Sequence, residues 1–207
     1  VVADPENFIK VLQKAEVLAQ KGFLVTLGIP PTRPDTGFGY LKQGTEINGF
    51  KETYHVEQFI EKPDASTAKK YLERGTYFWN CGVFVWKATT LLDELKKHAA
   101  NIYSQLETLM GCLQNSKGKL AYLEMNEKGC KIFSSLPSLS IDYAVMEKSS
   151  KVVLVPAKIG WSDVGTWNAL DDVCEKDSAG NILSGNILAR DCNNSIVASE
   201  EARLEIC

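Results

Sequence analysis

The chain has no Cys-x-x-Cys pair, only two histidines (His55 and His98), no basic cluster and no apolar run longer than a strand. Zinc sites need closely spaced ligand pairs, and small secreted scaffolds need dense cysteine. The six cysteines (Cys81, Cys112, Cys130, Cys174, Cys192, Cys207) are scattered over 207 residues and read as reduced thiols of a cytoplasmic protein. A formal net charge of −3 without a basic stripe argues against a nucleic-acid partner. Runs such as Phe23–Ile29 fall far short of a membrane span, so no membrane association is expected. No signal peptide is expected, since the first residues lead straight into a helix start at Asp4. The chain opens without methionine and closes on Arg203-Leu204-Glu205-Ile206-Cys207 in mid-pattern, so both ends are expected to be cut.

What is present is enough apolar material, 44% of residues, for one main core with a small appendage. Asp4-Pro5-Glu6 is a helix start, with an N-cap, a proline at the first helical position and a carboxylate at the positive dipole end. Phe8, Leu12, Ala15 and Ala19 then recur at helical spacing, widened by Val11 and Leu18, and Gly22 closes the helix. Phe23–Ile29 is continuously apolar, as a strand buried on both faces is. This order of elements predicts a parallel sheet with crossovers. Helices are predicted over Ala65–Arg74, Ala88–His98, Ile102–Cys112 and Thr166–Cys174, with a polar loop at Gln114–Gly118 and a buried strand at Val152–Pro156. Domain boundaries are expected at 1–180 for the main domain and 181–207 for the start of a small β unit, where short alternating segments are separated by turn residues.

Several residues stand out chemically. In Tyr54–Pro63 the strand pattern ends at Pro63, which biases Lys62 away from helix and leaves Glu61 and Lys62 at a strand's carboxyl end. Ligands bind at such ends in open α/β sheets, and a carboxylate beside an ammonium suits a molecule with both hydroxyls and phosphate; an ordinary charged turn has the same composition. Gly37 and Gly39 let backbone approach a ligand closely, although a turn is the commoner reason for Gly-x-Gly. Asn80 interrupts the apolar run Tyr77–Lys87 and must be satisfied by backbone or by a ligand hydroxyl. Asp142, in Ser140–Lys148, is placed to cap a helix, as Ser140 is. Asp163 is placed to cap one or to meet a hard cation such as magnesium.

Taken in order, Pro34–Tyr40, Phe59–Pro63, Trp79–Phe84, Ser140–Lys148 and Trp161–Trp167 resemble the motifs of bacterial mannose-1-phosphate guanylyltransferases over nearly the whole chain. The resemblance implies a glycosyltransferase-A-like, Rossmann-like α/β fold: a mixed sheet flanked by helices. It also implies synthesis of GDP-mannose and pyrophosphate from GTP and mannose 1-phosphate with Mg2+, for polysaccharide biosynthesis. By the same resemblance Gly37 and Gly39 approach the sugar, with Tyr40 and Gly82 in the same motifs. Glu61 grips sugar hydroxyls, Lys62 lies near the phosphates and acts in catalysis, Asn80 contacts the sugar, and Asp142 joins the substrate set. Asp163 would be a catalytic, magnesium-holding aspartate. The glycine-rich loop with arginine and lysine that belongs to this pattern is absent from the 207 residues, as is a second metal aspartate, so the chain alone is expected to be inactive. Nothing matches the isomerase domain of longer relatives. Two other readings stay open: a transferase for another sugar 1-phosphate, and a catalytically silent sugar-nucleotide-binding subunit. A homodimer is compatible with either.

Overall fold

The structure is a computed structural model that describes residues 1–115, 123–199 and 204–206. Contacts divide the chain into two compact units, Ile9–Ala157 and Val1–Phe8 with Lys158–Cys207. Helix α1 (Pro5–Gln20) starts as its sequence dictates: Asp4 Oδ1 accepts from the Asn7 amide at 2.9 Å, and Val11, Ala15, Leu18 and Ala19 form the buried stripe.

In the larger unit β1 (Leu24–Ile29) is buried at every position. It is followed by β2 (Gly39–Glu46), β3 (Tyr54–Ile60), α2 (Ala65–Arg74), β4 (Tyr77–Val85), α3 (Ala88–His98) and α4 (Ala100–Met110). Then come β5 (Leu113–Asn115), β6 (Leu123–Met125), α5 (Glu127–Ser135), a π-helical turn (Asp142–Met146) and β7 (Val152–Pro156). The main strands run in the order β1-β4-β2-β3-β7, and β7 pairs back onto β1, closing the sheet. Only β1 and β7 are parallel, from Leu24↔Val152 to Gly28↔Pro156; the other pairings are antiparallel. The sheet is thus the mixed one that the family resemblance implies, and the parallel sheet suggested by the local order of elements gives way to it. Residues 47–53 between β2 and β3 are too few for a crossover and enforce an antiparallel return. One core cluster gathers Leu24, Leu41, Phe59, Val152 and Leu154 from the strands with Ala144, Val145 and Met146 from the π-helical turn.

Several predicted elements shift. The second of the paired helices begins at Ala100 instead of Ile102, and the helix expected over Ser140–Lys148 is the shorter π-helical turn. Gln114 and Asn115, expected in a loop, lie on β5, and Ser116–Gly118 lie outside the described residues. Helix α5 was not legible in the composition, although Asn126 caps it through the Gly129 amide at 3.0 Å. A buried carboxylate also sits in this unit. Glu94 on α3 is 3% exposed; it accepts from Ser149 Oγ at 2.6 Å and pairs with Lys151 Nζ at 3.1 Å. His98 Nε2 lies 3.2 Å away, within ion-pair reach when protonated but not aligned for a hydrogen bond.

In the smaller unit Val2 bridges Trp161, and Asn7 Nδ2 donates to the Lys158 carbonyl at 2.8 Å. Here β8 (Ile182–Ser184), β9 (Ile187–Ala189), β10 (Ile196–Ala198) and β11 (Leu204–Ile206) pair two by two, β8 with β10 and β9 with β11, both in parallel. Buried Asn181 supports the turns: its side chain donates to Asp177 and to the Cys192 carbonyl and accepts from the Ser195 amide. Among the described residues no helix is long and apolar enough to cross a membrane.

Candidate substrate-binding site

Strand β3 ends at Ile60, and Glu61 and Lys62 follow it directly. Sheet register determines what Glu61 meets. Tyr40 pairs with Ile60 and Gly39 pairs with Asn80, so residues 39, 61 and 80 come together at one edge of the sheet. The Glu61 carboxylate folds over Gly39 so closely that a Cβ there would lie 2.4 Å from Oε2 and 3.4 Å from the Asn80 Cβ. A side chain at position 39 would therefore displace the Glu61 carboxylate.

Asn80 is held on three sides. Its Oδ1 accepts from Thr26 Oγ1 at 3.1 Å and from the Gly82 amide at 3.2 Å, while its Nδ2 donates to Asp142 Oδ1 at 3.4 Å. Gly82 takes φ +71°, where a side chain would be strained, and this conformation turns its N–H back to Asn80. Asp142 does not cap a helix. It opens the π-helical turn, whose Glu147 amide donates to the Asp142 carbonyl at 2.9 Å, and Ile141 occupies the cap position without a side-chain bond. Single π turns recur at functional sites because they re-aim a side chain, and here the Asp142 carboxylate reaches Asn80.

The electrostatics are those of a cluster rich in acceptors. Burial pushes the Glu61 carboxyl above the usual carboxylate range, the negative charge of Asp142 adds to this, and Lys62 opposes it from 3.7 Å. Glu147 is likewise raised, first by burial and then by Asp142, against the Glu61 backbone amide. Lys62 avoids the right-handed helical region as expected, but does so at φ +47°, in the left-handed region. Pro63 disfavours the right-handed region for the residue before it, and the chain here escapes to the other hand. A non-glycine residue there carries strain of the kind that accumulates at ligand sites. Its side chain is 63% exposed, which leaves it open to a ligand anion.

The loop before β2 is organised by Asp35, which binds the Gly37 amide at 2.8 Å and Arg33 Nε at 3.0 Å. The Gly37 N–H is therefore engaged within the turn. Tyr40 is fully buried; its hydroxyl donates to the Asp35 carbonyl at 2.9 Å, so it anchors the loop from below.

Asp163 belongs to the smaller unit. It is exposed, and its Oδ1 accepts from the Gly165 amide at 3.3 Å. The element that follows is a 3-10 helix, Trp167–Asp172, with Thr166 in the cap position, so capping does not account for Asp163. Val164 sits at φ +50°, a costly conformation for a β-branched residue, and Trp167 is 71% exposed beside a hollow of about 260 Å3 lined with Val164, Gly165, Thr166 and Leu170.

Two site residues escaped the sequence reading. Glu147 carries no local signal. Thr26 does carry one: it is the hydroxyl inside the otherwise apolar run Phe23–Ile29.

Residues 1–180 match the family described as Nucleotidyl transferase. Mannose-1-phosphate guanylyltransferase RfbM of Salmonella typhimurium is 40% identical over 201 residues, covering 97% of this chain and 40% of that protein. Alginate biosynthesis protein AlgA of Pseudomonas aeruginosa is 39% identical over 199 residues, covering 95% of this chain and 40% of that protein. The chain thus spans about 40% of the length of the curated relatives it matches. A solved structure named mannose-1-phosphate geranyltransferase, from Thermus thermophilus, superposes with a TM-score of 0.83 at 31% identity, over 100% of this chain and 57% of that one. The mixed α/β sheet and the match over most of its length agree: the chain belongs to the nucleotidyl transferase family.

Proposed function

We propose that this chain supplies the sugar-phosphate side of a mannose-1-phosphate guanylyltransferase that makes GDP-mannose for polysaccharide synthesis. The observation that carries the reading is Glu61 folded over Gly39 beside Asn80, with Lys62 exposed next to it. An ionised carboxylate only accepts hydrogen bonds, so Glu61 grips hydroxyls, Asn80 and Asp142 bracket the same ligand, and Lys62 serves as a point charge for its phosphate. The names of the relatives favour mannose 1-phosphate as that ligand.

In this reaction an oxygen of the sugar phosphate attacks the α-phosphorus of GTP. The new P–O bond forms as the bond to the β-phosphate breaks, and pyrophosphate leaves. No covalent enzyme intermediate is needed; the protein positions the groups and neutralises charge. A magnesium ion fits the residues present only in a particular way. Among the described residues no group of three or more acidic, histidine or cysteine side chains stands ready for a metal. Asp163 is exposed and its carboxylate is tied only by the long bond to Gly165. One or two carboxylates with substrate phosphates completing the shell is the usual arrangement for magnesium, so Asp163 is the residue that would hold it. When bound, the ion would neutralise charge on the phosphate oxygens. A cytoplasmic setting suits the cysteines, of which Cys81, Cys112, Cys130 and Cys174 are free thiols.

The test is calorimetric, on the full-length product of the gene. Glu61→Gln is expected to weaken mannose 1-phosphate binding about tenfold or more while leaving GTP binding nearly unchanged. Equal loss of both ligands, or of neither, would count against the assignment.

A further inference from the structure

The orientation of the Asn80 carboxamide is set by partners whose polarity cannot change. The Gly82 backbone N–H only donates, so the atom 3.2 Å from it is the amide oxygen. The Asp142 carboxylate only accepts when ionised, so the atom facing its Oδ1 is the amide nitrogen. Amide orientations are assigned from such networks, and here two independent partners agree. Thr26 Oγ1 fills the second lone pair of Oδ1. Thr26 is 0% exposed on β1, whose other residues are Leu24, Val25, Leu27, Gly28 and Ile29. A hydroxyl in such a strand costs free energy unless it is bonded, and its bond goes to Asn80.

With both lone pairs of Oδ1 occupied, Asn80 has no acceptor left for a ligand and offers only an Nδ2–H. Glu61, across Gly39, offers only acceptors once ionised. A ligand oxygen placed between them must accept from Asn80 and donate to Glu61. A hydroxyl does both; an ether, a carbonyl or a bare CH2 does not.

We propose that Thr26 is a positioning residue of the sugar subsite: its buried hydroxyl occupies the lone pair of Asn80 Oδ1 that Gly82 leaves open, so that Asn80 meets a ligand only as a donor and the subsite selects a sugar position carrying a free hydroxyl. The inference rests on the sugar-phosphate reading above and adds how that site discriminates. A site built on such hydrogen bonds rejects the analogue lacking the hydroxyl, because the buried polar groups are left unpaired.

Three measurements test it. On the unaltered protein, a series of monodeoxy mannose 1-phosphates should include one position whose loss weakens binding about tenfold or more; equal binding across the series overturns the proposal. In Thr26→Val the affinity for mannose 1-phosphate should fall about tenfold, the discrimination against that deoxy analogue should shrink, and GTP binding should hold; Thr26→Ser should restore all three. A purely structural role would lower thermal stability without changing the deoxy discrimination, and that result overturns the proposal. The third measurement needs no sugar. The Asn80 side-chain amide protons, followed by NMR, should be distinct and slowly exchanging in the unaltered protein and should shift and exchange faster in Thr26→Val. Unchanged signals would refute the hold of Thr26 on Asn80 itself, whereas a changed signal with no mannose 1-phosphate binding in the unaltered protein would refute the sugar reading and the selectivity that rests on it.

Discussion

Gly39 shows how one missing side chain makes room for a functional one. A Cβ at this position would collide with the Glu61 carboxylate at 2.4 Å, and the cheaper escape is for Glu61 to swing away. Gly39→Ala is therefore expected to keep the fold and to weaken mannose 1-phosphate binding about as much as Glu61→Gln does, roughly tenfold, by calorimetry with thermal unfolding as the control. Glu61 itself is held at a cost. Burial and the nearby charge of Asp142 raise its pKa, so the folded state holds its proton more tightly than the unfolded chain does. Ionisation on raising the pH through the Glu61 pKa then removes stability. Glu61→Gln should consequently unfold at a higher temperature than the unaltered protein at neutral pH, and the difference should vanish in acid. A gain in stability with a loss of ligand is the expected trade at a binding residue. At this scale Glu61 and Asn80 stood out in the sequence, a carboxylate at a strand end and an amide inside an apolar run, whereas Asp142 read as a cap and joined them only through the family resemblance. The role of Gly39 was legible only in part, because Gly-x-Gly does not say which glycine faces a side chain. Register answers that, and it separates Gly39 from Gly37, whose amide bonds Asp35.

Elements followed their sequence wherever a local rule acted alone. Helix α1 begins at its Asp4 cap, α2 ends at Gly75 with φ +66°, and β1 is buried throughout. The misses occur where tertiary context overrides the local rule. Ser140–Lys148 carries helix-start residues, yet packing of Ala144, Val145 and Met146 into the core and the pull of Asn80 on Asp142 leave a π-helical turn. Lys62 obeys the proline rule by a route the sequence does not reveal, turning left-handed. The Glu94 network ties α3 to Ser149 and Lys151, next to β7, and could not be read from residues so far apart in the chain. Burial works to raise the Glu94 pKa, but the Ser149 hydroxyl and the Lys151 ammonium outweigh it and leave it lowered. A lowered folded pKa contributes stability above the unfolded carboxylate range, and that contribution is lost as pH falls through the folded value. Ser149→Ala should thus cost about 1–3 kcal/mol in denaturant unfolding at neutral pH, and less in acid. A cost unchanged by pH would show that the hydroxyl does not act through the Glu94 charge.

At the scale of the whole molecule, the mixed sheet was legible through the family resemblance, whereas the local order of elements alone suggested a parallel one. A mixed sheet closed by β7 onto β1 depends on which distant strands meet, and apolar runs of similar composition do not encode that choice. The two compact units each carry part of the motif set: Glu61, Lys62, Asn80 and Asp142 in one, Asp163 in the other. The central claim is the transfer reaction, and pyrophosphate release from GTP and mannose 1-phosphate by the full-length product of the gene tests it most directly. The account predicts release that depends on magnesium and on both substrates, and that falls by about a hundredfold or more in Asp163→Asn with the circular dichroism unchanged. Absence of release from this pair of substrates, or undiminished release by Asp163→Asn, would contradict it.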